Sequence, residues 1–140
     1  KDNKPVPPIK VNRMKDRLTA YYPNGQISRE YDMDRGMIMG ELKEYLSSGK
    51  PSYTGTFEGG QEQGKLIYYD KNGQIESERE YKVGEENGFH IVYWPNGKKR
   101  IEIPYYLGKM HGNGAEYDKN GKKTIEYEFY SNQLIGEKKL

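Results

Sequence analysis

The sequence predicts an all-β repeat protein of stacked two-stranded hairpins, about ten strands in all. Three observations carry that prediction. A glycine returns every 24 residues without a slip, at Gly25, Gly49, Gly73, Gly97 and Gly121. Tyrosine stands four residues before each, at Tyr21, Tyr45, Tyr69, Tyr93 and Tyr117. After each glycine the residues alternate with period two, Ile27, Arg29 and Tyr31 against Ser28, Glu30 and Asp32, which is the signature of a strand.

The elements follow in order. Residues 1–8, KDNKPVPP, have the charge and proline of an extended or disordered linker. Residues 9–20 read as a half repeat, because Ile9, Asn12 and Leu18 lie one period upstream of Met33, Gly36 and Leu42. Residues 21–140 then form five repeats in one domain. The residue before each turn glycine is Asn24, Ser48, Asn72, Asn96 or Asn120, and Asn-Gly between alternating apolar residues points to a type I′ turn with positive φ at both central residues. The outgoing strand runs to a large apolar residue, Met33, Phe57, Tyr81, Tyr105 or Phe129. A longer connection follows, carrying Gly36, Gly60, Gly84, Gly108 and then Asn132. Asparagine is the non-glycine residue best suited to left-handed backbone, so this column is a conformational requirement. Gly40, Gly64, Gly88, Gly112 and Gly136 close the connection and launch the next unit.

Composition limits what such a chain does. Only 33% of the 140 residues are apolar and 31% are charged, so a compact core would be thin. Tyrosine supplies 14 aromatics against 3 phenylalanines and 1 tryptophan, which suits a sheet wet on at least one face. There is no cysteine, hence no disulfide, thiolate ligand or thiol nucleophile. No apolar run approaches the roughly 18 residues of a membrane helix and no apolar leader is present; a reducing cytosol and a bacterial envelope both remain open. A net charge of +2 gives no whole-molecule field for nucleic acid, and no nucleic-acid partner is expected.

Catalytic chemistry lacks its parts. The histidines, His90 and His111, have no partner at metal-ligand or triad spacing, and no phosphate loop is present. The acidic column Glu30, Thr54, Glu78, Glu102 and Glu126 places carboxylates about 10 Å apart along the sheet, too far to share a proton. That ladder reads either as a solvated face whose carboxylates meet lysines of adjacent strands or as a grip for a basic segment of a partner. The tyrosine ladder and the Met33 to Phe129 ladder are expected to share the better-covered face. Trp94, on the parity opposite to Tyr93, is expected to be exposed and is a candidate contact residue. Charge is uneven along the chain, net −4 over residues 41–88 and +3 over residues 89–112. Lys98, Lys99 and Arg100 form the basic run, echoed by Lys122 and Lys123, and are the candidates for anionic surfaces.

The units YYDKNGQIESEREYKVGEENG and EYDKNGKKTIEYEFYSNQLIG resemble the MORN repeat family in its bacterial variant, over residues 21–140. Departures fall at Ser48, at Gly55 inside a strand, and at Asn132. The resemblance implies an elongated, twisted, single-layer antiparallel β-meander without catalytic residues or cofactor. It implies a protein-binding role, with an antitoxin function in some bacterial members and membrane association in eukaryotic ones. The expected partner is therefore a protein, a cognate toxin being the sharpest case. A membrane or envelope surface met through the basic run is the alternative, as is self-association through the sheet edges.

Overall fold

The computed structural model describes residues 16–140, so the linker at residues 1–8 and the first part of the half repeat lie outside the described residues. The described chain contains no helix and forms one open antiparallel sheet of 13 strands. These are β1 (Asp16–Tyr21), β2 (Ile27–Asp34), β3 (Met37–Tyr45), β4 (Pro51–Glu58), β5 (Gln61–Tyr69), β6 (Ile75–Lys82), β7 (Glu85–Glu86), β8 (Gly88–Tyr93), β9 (Lys99–Tyr106), β10 (Lys109–Met110), β11 (Gly112–Tyr117), β12 (Lys123–Tyr130) and β13 (Gln133–Lys139). Each strand pairs with its neighbours in sequence, and β7 and β10 are short leading pieces of β8 and β11. The count exceeds ten because β1 precedes the first unit and two strands are split. Eleven strands along the sheet path at about 4.8 Å spacing make a rod roughly 50 Å long.

The two turns of each unit are the reverse of the expectation. Asn24-Gly25 is not a type I′ turn: Gly25 N–H donates to Tyr22 O at 2.9 Å, Asn24 keeps negative φ, and only Gly25 is left-handed at +85°. The loop is a type I turn closed by a left-handed glycine. Pro23 supplies the fixed φ that the second position of that turn favours, as Pro95 does in the fourth unit, and Asp70 and Asp118 supply the favoured first residue in the third and fifth. The two-residue type I′ turns sit in the other connection. Both central residues there have positive φ, at Arg35-Gly36 (51°, 79°), Gly59-Gly60 (58°, 81°), Val83-Gly84 (51°, 77°), Leu107-Gly108 (48°, 74°) and Ser131-Asn132 (48°, 69°). The second residue of each tip from Gly60 onward donates its N–H to a carbonyl of the preceding unit, at Ile38, Glu62, Glu86 and Met110 and 2.9–3.0 Å. The tips are thus laced along one long edge.

A bulge in every unit separates the two aromatic ladders. Tyr21 pairs with Ile27 but Ala20 pairs with Arg29, leaving Ser28 as an extra residue; the same skip recurs at Tyr45, Tyr69, Tyr93 and Tyr117. One extra residue moves the rest of the outgoing strand to the other face. The tyrosine ladder therefore lies with Glu30, Thr54 and Glu78, while Met33, Phe57, Tyr81, Tyr105 and Phe129 lie opposite. The expectation of a shared face fails for that reason. We refer to the carboxylate face and the ring face below.

The second glycine column is also not a set of turns. Gly40 lies within β3, where the register jumps from Asp32↔Met39 to Tyr31↔Leu42, so it marks a second bulge. Gly136, in β13, is the member of the column without a left-handed φ. Gly55 has a different cause: the Tyr53 hydroxyl and Leu66 side chain occupy the space a Cβ would fill.

Four side chains are buried among the described residues: Leu42, Leu66, Ile91 and Ala115. Leu66 pairs with Arg79 on the ring face, whereas Ile91 pairs with the adjacent Glu78 and so faces the other way. The covered stripe crosses the sheet midway along the rod. The sequence shows why: the Leu42 column continues as Leu66, His90 and Gly114, while the neighbouring column, Lys43, Ile67, Ile91 and Ala115, becomes apolar in the second half.

Candidate functional site: an apolar ridge of hairpin tips

Each glutamate of the acidic column has a cation partner within the sheet. Glu30 accepts from the Tyr45 hydroxyl at 2.7 Å and pairs with Arg17 at 3.0 Å. These bonds, the tyrosine hydroxyl foremost, hold its carboxyl below the usual range, and burial with the Glu30 contact pushes Tyr45 up to about 12. Glu78 pairs with Lys65 at 3.1 Å, Glu102 with Lys99, and Glu126 with Lys123 at 3.3 Å. Burial, followed by Glu78, likewise raises Tyr93 to about 12. Where Thr54 replaces glutamate, its hydroxyl still meets Tyr69 Oη at 3.4 Å. Glu30 and Glu78 thus meet both a tyrosine and a cation, while Glu102 and Glu126 meet a cation.

The basic run and Trp94 are engaged in the same way. Lys98 Nζ donates to Asn120 O at 2.9 Å, and Arg100 lies 4.7 Å from the Trp94 ring centre, with Lys119 Nζ at 5.5 Å. Trp94 Nε1 donates to Tyr117 O at 3.0 Å, as Tyr22 Oη donates to Tyr45 O at 2.8 Å in the first unit. Trp94 is therefore half-buried, not exposed. Its ring covers the next turn, and the two cations cover its ring.

Exposed apolar surface gathers instead at the type I′ tips of the third to fifth units, which the sequence reading passed over. Val83, Tyr106, Leu107 and Tyr130 are each about 60% exposed. The His111 ring stands between the two tyrosines, with centroids 6.3 Å from Tyr106 and 5.2 Å from Tyr130. The earlier tips carry Asp34-Arg35 and Glu58-Gly59 at the equivalent positions, so the ridge belongs to one end of the rod. A cleft of about 440 Å³ separates the Val83 and Leu107 tips, and another of about 380 Å³ lies between Leu107 and Ser131. Val83 and Leu107 hold left-handed backbone that costs an L residue roughly 1–2 kcal/mol, and a β-branched side chain there is rare. The available signal was YKVG and YYLG against MDRG and FEGG.

The ring face carries a second polar group. Arg79 and Glu86 approach to 3.7 Å, beyond hydrogen-bond reach, beside Tyr81, Tyr105 and His90; Arg79 Nε and one Glu86 carboxylate oxygen are buried without a hydrogen-bond partner. Burial raises the Glu86 carboxyl and lowers His90. Among the described residues no cluster of three or more His, Asp or Glu is arranged to hold a metal, and no helix is long and apolar enough to cross a membrane.

An open sheet with two broad faces and laced tips defines a repeat scaffold that presents surface. Residues 62–82 and 87–105 match the family model of the MORN repeat variant, which supports a likeness of these two units to the MORN repeat family. MORN repeats are generally non-enzymatic motifs of protein or membrane interaction. Comparison with curated proteins finds no match to the chain.

Proposed function

We propose that this chain is a non-catalytic scaffold that binds a protein partner through the tip ridge Val83, Tyr106, Leu107, His111 and Tyr130. The observation that carries the reading is the pair Val83 and Leu107, apolar, exposed and held in left-handed backbone where glycine or asparagine would be more stable. Strain of that kind at an exposed position is compatible with selection for contact. The flanking tyrosines supply rigid amphipathic rings of the sort enriched in interface anchors. In its sharpest form the partner is a toxin that the scaffold neutralises, an antitoxin role.

The test uses the whole chain as bait against lysate of its source cells, beside a variant carrying Val83→Asn, Tyr106→Ser, Leu107→Asn and Tyr130→Ser. One stoichiometric protein that survives a salt wash on the wild type and is lost on the variant supports the ridge. Retention of the same protein by both baits refutes it, and recovery of anionic lipid alone moves the function to a membrane surface. Co-expression of a captured protein, with growth as the readout, decides the toxin form.

A further inference from the structure

Of the six Asn-Gly pairs in the sequence, four lie in the type I turns, and the structure divides these four into two chemical kinds. In all four the glycine N–H closes the turn, to Tyr22 O, Asp70 O, Trp94 O and Asp118 O at 2.8–3.0 Å. The asparagine side chains differ. Asn24 is held at both ends, its Oδ1 accepting from Gln26 N at 3.1 Å and its Nδ2 donating to Ser47 O at 2.9 Å. Asn96 is held in the same way by Lys98 N at 3.0 Å and Lys119 O at 2.7 Å. In the third and fifth units the turn opens with aspartate, and its carboxylate takes over the capping. Asp70 Oδ1 accepts from Asn72 N and Gln74 N, and Asp118 Oδ1 from Asn120 N and Lys122 N, at 2.8–3.0 Å. The exposed side chains of Asn72 and Asn120 are left without a hydrogen bond among the described residues.

We infer that Asn72 and Asn120 are sites of spontaneous deamidation and that Asn24 and Asn96 are protected. The glycine nitrogen attacks the asparagine Cγ and the N–Cγ bond forms. The nitrogen gives up its proton, and the side-chain nitrogen leaves as ammonia. Water then opens the resulting imide at either carbonyl, leaving aspartate or isoaspartate. The reaction needs the asparagine side chain to rotate over the next peptide. Two hydrogen bonds oppose that rotation in Asn24 and Asn96, and none does in Asn72 and Asn120. Glycine, without a Cβ, leaves the attacking nitrogen open. At Asn72 the product adds a negative charge beside Asp70. At Asn120 isoaspartate would lengthen the turn whose carbonyl receives Lys98.

Intact chain held in mildly alkaline buffer at physiological temperature, sampled over weeks and peptide-mapped by mass spectrometry, gives four site-resolved rates. Isoaspartyl methyltransferase labelling identifies the isoaspartate fraction. Asn72 and Asn120 are expected to convert roughly tenfold faster than Asn24 and Asn96, the factor that about 1.4 kcal/mol of side-chain restraint produces. Equal rates, or faster loss at Asn24 or Asn96, overturn the inference. Asp70→Ala adds an independent check: with the carboxylate gone, the Asn72 side chain takes the Gln74 amide as Asn24 takes Gln26, and its rate should fall. Denaturing the chain should bring all four rates together.

Discussion

Replacing Val83 with asparagine should stabilise the protein, although it removes an apolar residue. The left-handed conformation at φ 51° costs a β-branched residue roughly 1–2 kcal/mol, and asparagine avoids most of that. Against it stands lost burial. Val83 is 60% exposed, so two fifths of a buried aliphatic side chain's value is at stake, about 0.6 kcal/mol. The net gain is about 0.5–1 kcal/mol, or a rise in Tm of about 2–4 °C for a chain of this size. Urea titration and thermal melting by far-UV circular dichroism measure it. Under the proposed function the same substitution weakens partner binding, so stability and affinity move in opposite directions. A loss of stability above about 0.5 kcal/mol would falsify the reasoning, since Val83 packing would then outweigh its strain.

Other consequences follow from the geometry. Leu66→Ala should cost about 2–3 kcal/mol, the low end for a buried leucine, because an open sheet lets neighbours and water close the gap; denaturant midpoints check it. Gly114→Ala should cost about 1–3 kcal/mol, because a Cβ there sits 2.8 Å from the Glu102 carbonyl oxygen, a backbone atom that cannot swing away. The Glu30 carboxyl has a lowered folded value, so its contribution is complete above the ordinary carboxylate range and is lost as pH falls through that lowered value. Tyr45→Phe should flatten that acid limb in stability measured against pH. If the free edge at β13 mediates self-association, Ile135→Lys should abolish it in sedimentation velocity, since the substitution places charge where Ile135 is 57% exposed.

The sequence by itself determined the period, the strands and the connections that need left-handed backbone. Those are local demands: Gly25 and Gly36 must reach positive φ whatever surrounds them, and alternation about Ile27 and Tyr31 specifies a strand wherever it lies. It also displayed the residues of the tip ridge, but YYLG reads as one more connection until Tyr106, His111 and Tyr130 stand side by side. Turn type was legible in principle, because Pro23 and Asp70 mark a type I turn, yet the Asn-Gly pair carried the more familiar signal. What only the tertiary structure decided is which side chains share a face. A single extra residue at Ser28 and at its four equivalents inverts every side chain beyond it, and no residue type announces such a bulge. That inversion parts the two aromatic ladders, while the β2–β3 register, with Glu30 opposite Lys43, sets Tyr45 on the side of Glu30. The glutamates of the acidic ladder thereby pair with cations of the sheet itself, and Val83, Tyr106, Leu107 and Tyr130 stand exposed at the tips.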